Sequence, residues 1–198
     1  YVSGTTIYIG GAAISVVDGT LQINNAPVSA GYTDANVKTY LESLSNVNIG
    51  IGTGINQGTC AVAIGSCAGT INQGYSAMAL GPGAGYQNQG HCATAIGWNS
   101  GVSCQGATAV AIGGSAGGCH QGIGAIAIGR FTAQHCQGNN AIALGTSAAY
   151  SCQGNLAIAI GYQAGYSSQG ERSIYIGELA GNASTSTDTI AIGSTGFY

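Results

Sequence analysis

The chain has 198 residues, 36 of them Gly and only 2 Pro, with 45% hydrophobic and 5% charged residues, where an ordinary soluble domain carries about 25% charged residues. Three basic residues (Lys38, Arg130, Arg172) against six acidic ones give a net charge of −3, too little positive charge for nucleic-acid binding by counterion release. The apolar content and the lack of a Gly-X-Y period exclude disorder and collagen, and no run of eighteen apolar residues is present to span a membrane as a helix.

The sequence opens at Tyr1 with no start Met, basic stretch or apolar run, which reads as a processed or trimmed boundary. With the finish at Phe197-Tyr198 it suggests a piece of a longer chain. Residues 1–31 read as a β-rich connector. Thr6-Ile7-Tyr8-Ile9-Gly10, Ala13-Ile14-Ser15-Val16-Val17 and Thr20-Leu21-Gln22-Ile23 alternate about the turn sequence Asp18-Gly19. Residues 32–46 read as a short helix. Thr33 or Asp34 caps it, and Val37, Tyr40, Leu41 and Leu44 recur at helical spacing. Asp34, Lys38 and Glu42 follow four residues apart on one face, and this helix is expected to act as a neck.

From residue 47 to 198 a period of 16 residues takes over. One mark is the Gly that closes each Ala-x-Ala-Ile/Leu segment: Gly65, Gly81, Gly97, Gly113, Gly129, Gly145, Gly161, Gly177 and Gly193. The other is Gln-Gly, with Gln57, Gln73, Gln89, Gln105, Gln121, Gln137, Gln153 and Gln169. A repeat of this length cannot bury an apolar face alone, so it stacks as coils of a parallel β-solenoid. About nine coils at roughly 4.8 Å make a rod on the order of 40 Å long. The glycines are expected at corners that need φ > 0 or close backbone approach, and the glutamines are expected to stack amide on amide.

Within each coil the segment Ala125-Ile126-Ala127-Ile128-Gly129 alternates as a strand does. The large residues lie on one face and the alanines on the other. The expectation is that the Ile face forms the coil core. The Ala face would then be an uncharged sheet, since Arg130 is the one formal charge between Gly52 and Gly170. Such a face is expected to be covered by two further copies in a homotrimer.

The units Ala-Ile-Ala-Ile-Gly-x-x-Ala-Gly-x-x-x-Gln-Gly resemble the head repeats of trimeric autotransporter adhesins of the YadA type. They are also similar to repeat arrays in fibres of tailed phages and large double-stranded DNA viruses, with Ile160-Gly161-Tyr162-Gln163-Ala164-Gly165 the nearest stretch. Residues 49 to 196 carry the likeness. Tyr32-Thr33-Asp34-Ala35-Asn36-Val37 resembles connector segments of marine phage and viral fibres. The resemblance implies a left-handed parallel β-roll in an extracellular or virion-surface appendage for host or surface attachment. Adhesin head repeats are commonly a residue or two shorter, so one corner should differ.

No catalytic set assembles. His91, His120 and His135 have no acidic residue near them in the sequence, since none lies between Glu42 and Glu171, so a Ser/His/Asp triad is not expected and no enzyme activity is read here. Corner glycines without a following Lys are not a phosphate loop, and no cofactor is called. Cys104, Cys119, His120, His135, Cys136 and Cys152 fall on neighbouring coils. Adjacent residues of a strand face opposite ways, which separates Cys119 from His120 and His135 from Cys136, so no metal site is expected. Stacking does allow a disulfide between Cys136 and Cys152, or across the trimer. Otherwise the thiols are small semi-buried fillers, as are Cys60 and Cys92 in their shared column. Ser66, Pro82, Trp98, Arg130, Thr146, Tyr162 and Glu178 share a solvent-facing corner, and Tyr86, Tyr150 and Tyr166 share another column. Aromatic and Asn side chains on a rigid uncharged surface suit contact with a cell-surface glycan or receptor.

The resulting reading is a trimeric fibre protein working by multivalent attachment. The alternative is an ice-binding solenoid, which would need a regular Thr ladder. Thr clusters only at Thr185 and Thr187.

Overall fold

A computed structural model describes residues 6–9, 12–17, 20–23, 26–27, 47–50, 52, 54–182 and 186–194. Two compact units divide the chain, Tyr1–Ser45 and Asn46–Tyr198. The first contains β1 (Thr6–Ile9), β2 (Ala12–Val17), β3 (Thr20–Ile23) and β4 (Ala26–Pro27), joined in that order as an antiparallel sheet. Ile7 pairs with Ile14, and Val17 with Thr20. The helix expected over residues 32–46 lies outside the described residues.

The second unit is a parallel β-solenoid. Its first coil holds β5 (Val47–Ile49) and β6 (Ile55–Gln57), followed by β7 (Val62–Ile64) with β8 (Ile71–Gln73) and β9 (Met78–Leu80) with β10 (Gln87–Gln89). Next come β11 (Thr94–Ile96) with β12 (Ser103–Gln105), β13 (Val110–Ile112) with β14 (Cys119–Gln121), and β15 (Ile126–Ile128) with β16 (Cys136–Gln137). β17 (Ile142–Leu144) pairs off with β18 (Cys152–Gln153) and β19 (Ile158–Ile160) with β20 (Ser168–Gln169), before β21 (Ile174–Ile176) and β22 (Ile190–Ile192) close the series. The odd-numbered strands from β5 to β21, with β22, form a 10-stranded sheet, and the even-numbered strands from β6 to β20 form an 8-stranded one. Among the described residues there is no helix.

Register follows the repeat. Val110 pairs with Ile126 and Ala111 with Ala127, a step of 16, whereas Val47 pairs with Val62, a step of 15. The coils close with short turns, mostly of the form Gly-x-x-Ala, with Ser100, Thr132 and Ser173 in place of the alanine in three of them. Ala116 N–H donates to the Gly113 carbonyl (3.3 Å) and Ala125 N–H to the Gly122 carbonyl (3.3 Å). The third residue of such a turn takes φ > 0, as at Ser115 (φ 56) and Gly124 (φ 66).

Two glycines show why the marks are fixed. Gly113 sits at φ 124, and a Cβ there would lie 2.5 Å from the Gly129 carbonyl oxygen of the next coil. Gly74, of the Gln-Gly pair, needs no unusual φ, but its Cβ would lie 2.5 Å from the Gly90 carbonyl carbon. Successive coils touch backbone to backbone at these corners.

The interior corrects the face assignment drawn from the alternation. The alanines are inside: Ala63, Ala79, Ala95, Ala111, Ala127, Ala143 and Ala159 are each 0% exposed, as are Ala68, Ala84, Ala116, Ala148 and Ala164 from the turns. The Ile, Val and Leu side chains point outward, with Ile128 39% and Leu80 38% exposed. The reason is room. Two three-residue strands and two tight turns enclose a lumen that methyl groups fill, and a row of Ile would overpack it. Polar side chains inside are bonded to turn carbonyls, Ser100 Oγ to Gly97 (3.1 Å) and Ser173 Oγ to Gly170 (2.7 Å).

Candidate interaction surface

The glutamines also lie inside rather than at exposed corners, Gln73 through Gln169 being 2–4% exposed. Each amide crosses the lumen: Gln105 Nε2 donates to the Thr94 carbonyl (2.8 Å) and the Ala109 carbonyl (3.2 Å), so it ties the second strand of its coil to the first. An amide-on-amide ladder forms over one stretch. Gln121 Nε2 donates to Gln137 Oε1 (3.1 Å), Gln137 to Gln153 (3.0 Å) and Gln153 to Gln169 (2.9 Å). Oε1 of Gln73, Gln89, Gln105 and of Gln121, the ladder's first member, accepts no hydrogen bond. There the oxygen leans over a glycine, 2.7 Å from where a Cβ of Gly69 would stand and 2.8 Å for Gly117. Ala133 (φ 45) and Ala149 (φ 49) replace that glycine in the coils of Gln137 and Gln153. In those coils the oxygen accepts from the preceding amide, as Gln169 Oε1 also does although its coil keeps Gly165 at that position.

With Ala and Gln used inside, the surface is built from what remains. The 10-stranded sheet turns outward two aliphatic columns, among them Val62/Ile64, Met78/Leu80, Val110/Ile112, Ile126/Ile128 and Ile158/Ile160. Thr94 is the polar interruption. Exposure rises toward the ends, to 59% at Ile49 and 68% at Ile190. Nine intervals between ten strands, at about 4.8 Å each, make the stripe roughly 43 Å tall and roughly 10 Å wide. It is flanked by the corner column carrying Trp98 (58% exposed) and Tyr162 (50%). Arg130, which shares this corner with Glu178, lies with its guanidinium 4.2 Å over the Phe131 ring.

The 8-stranded sheet carries the polar face. The middle residues Asn72 (φ 54), Asn88 (φ 52), Cys104 (φ 54) and His120 (φ 50) are left-handed, which breaks the pleat. The strict alternation expected for Cys119 and His120 therefore fails: Cys119 is half-buried, His120 exposed, and Gln121 points inside. Asn56 Nδ2 donates to Asn72 Oδ1 and Asn72 Nδ2 to Asn88 Oδ1, both at 3.0 Å, an exposed Asn ladder. Nearby, Tyr150 stacks on Tyr166 (4.9 Å, 8° between planes) and meets His135 edge-on (5.1 Å). All seven cysteines are free thiols, Cys136 and Cys152 being direct register partners. Among the described residues, no three of His, Cys, Asp and Glu converge as ligands for a metal ion, and no helix is long and apolar enough to cross a membrane.

Charge gathers in the coil of Glu171 and Arg172. Arg172 Nε and Nη2 donate to Asp188 Oδ1 (2.7 Å) and Oδ2 (2.8 Å), with Glu171 at 3.3 Å from Nη1. The hydrogen bond from Arg172 holds the Asp188 carboxyl below the usual aspartate range.

These features define an all-β parallel β-solenoid repeat protein. Comparison with protein-family models, curated proteins and solved structures finds no match. The repeat made the coils legible. It did not reveal the aliphatic outer stripe, although one internal signal was available. The positions now known to be inside hold Ala, Gly or Ser in nearly every coil, whereas the outward pair accepts Val, Met, Thr, Ile and Leu.

Proposed function

We propose that this chain is a shaft or head segment of a fibrous surface appendage of a virus, phage or bacterium, serving attachment to a host or surface. Three copies stand parallel about a common axis with their Ile/Val/Leu stripes turned inward. The observation that carries this reading is the stripe: uncharged, running over ten strands with Thr94 its one polar residue, and at roughly 430 Å² (the height and width above) of the size at which an apolar patch on a monomer serves a purpose. Small interior side chains leave the aliphatic ones free for assembly between copies. The number three rests on the likeness to trimeric adhesin heads. The outer corners, with Trp98 and Tyr162, then face solvent three times over, so weak contacts with a glycan or receptor gain avidity.

Light scattering on the full chain tests the assembly. The expected mass is three times 19.4 kDa, and Ile112→Asp together with Ile128→Asp should yield a folded monomer. A monomeric wild-type chain overturns the proposal. The ice-binding alternative has little to stand on, because Thr94 is the one Thr in the outward columns from Val62 to Ile176. Thermal hysteresis in a folded sample would revive it.

A further inference from the structure

We propose that Cys136 and Cys152 form a redox-operated staple, a dithiol that closes to a disulfide between two successive coils. Both residues open second-sheet strands, β16 and β18, and both are exposed. They are in direct parallel register, as are the following Gln137 and Gln153. Parallel neighbours stand about 4.8 Å apart, inside the Cα separation that a disulfide accepts. The two backbones are held from three sides. Cys136 N–H donates to the Ser151 carbonyl (2.9 Å), Gln137 Nε2 donates to Gln153 Oε1 (3.0 Å) within the lumen, and the His135–Tyr150 edge contact lies alongside. Burial first, then the neighbouring Cys136, pushes the Cys152 thiol up. No other pair among the seven cysteines shares adjacent strands in register in the pairings of either sheet.

The staple also falls where the stack is strained. The two coils it joins are those in which Ala133 and Ala149 adopt left-handed backbone at the position that is Gly in the coils of Gly69, Gly85, Gly101 and Gly117. A covalent link there holds together the coils whose turns are least content.

The oxidant is a low-molecular-weight disulfide such as oxidised glutathione. The Cys136 thiolate attacks one of its sulfurs, forming a mixed disulfide and expelling one glutathione thiolate. The Cys152 thiolate then attacks the Cys136 sulfur, forms the protein disulfide and expels the second. Two protein thiols lose two protons and two electrons, and one glutathione disulfide becomes two glutathiones.

The test treats the native full-length chain with oxidised glutathione, alkylates what remains and maps peptides by mass. A linked Cys136–Cys152 peptide, about 2 Da lighter than the two thiols, is expected, together with a melting temperature several degrees above that of the reduced chain. Cys152→Ser should instead trap glutathione on Cys136 and show no such rise. Three results would each overturn the proposal: separate glutathione adducts on both cysteines of the wild type, both alkylated after oxidation, or links found only between chains.

Discussion

At the scale of single residues, the methyl group sets the dimensions. Ala111 and Ile112 are neighbours in β13, one wholly buried and one half-exposed, and they should respond in opposite ways to a change of size. Ala111→Leu forces three carbons into a filled lumen and should cost about 3 kcal/mol or more, toward the upper end for overpacking. Ile112→Ala should cost a separated chain under about 1 kcal/mol, because its side chain is only partly removed from water, while loosening association. Chemical denaturation read beside light scattering separates the two. Gly113→Ala is harsher: the φ of 124 and the Gly129 carbonyl 2.5 Å from the added Cβ set strain of about 1–3 kcal/mol on top of a clash with backbone that cannot yield. The same arithmetic explains what could be read beforehand. Corner glycines were visible because only Gly tolerates those sites. The inside face was misassigned because alternation reports that two faces differ, not which is inward, and the usual preference for large residues in a core presumes a core wide enough to hold them. For Ala111 and Ile112 that presumption fails.

At the scale of the coil, the buried glutamine is the tie rod. It holds the two sheets together across the lumen in every coil from Gln73 to Gln169, but only the stretch from Gln121 onward also links coil to coil. Gln137→Met should therefore cost about 3 kcal/mol, and Gln73→Met about 1–2, since the first loses a bond on each side of the ladder as well as its cross-lumen bonds. Urea midpoints of the two variants decide this. A Gln repeat announced a stack, yet its position inside depended on the left-handed residues of the second strand, such as His120, which no periodicity reveals. The ladder ends at Gln169, and in the next coil Tyr175 stands in the alanine row, 0% exposed. Its ring lies so close that a Cβ on Gly181 would come within 2.4 Å of Cδ2. Tyr175→Ala should leave a cavity and cost about 3 kcal/mol or more, with early loss of protection in β21 and β22 by hydrogen exchange. The Arg172–Asp188 pair spans the same two coils. Because the carboxyl is lowered in the folded chain, its contribution is complete above the ordinary aspartate value of 3.8 and fades as pH falls through the lowered one. The melting-temperature difference between wild type and Asp188→Ala should persist at pH 5 and close below that ordinary value.

At the scale of the whole molecule, cohesion owes almost nothing to charge. Arg130 is the one formal charge between Gly52 and Gly170, so raising salt from 10 mM to 1 M should shift the melting temperature of the solenoid by no more than a degree or two, apart from the screened pair at Arg172. A shift much larger than that would mean that contacts between chains are ionic, contrary to the aliphatic stripe.

One property of the stack reaches beyond stability. Since coils meet through backbone hydrogen bonds at a step of 16 residues, with inner contours that scarcely differ from one to the next, the length of such a rod is quantised. A gene that copies one unit in frame lengthens it by about 4.8 Å and leaves its cross-section as it was. The number of repeats is thus a ruler, and reach can be adjusted by counting rather than by redesign.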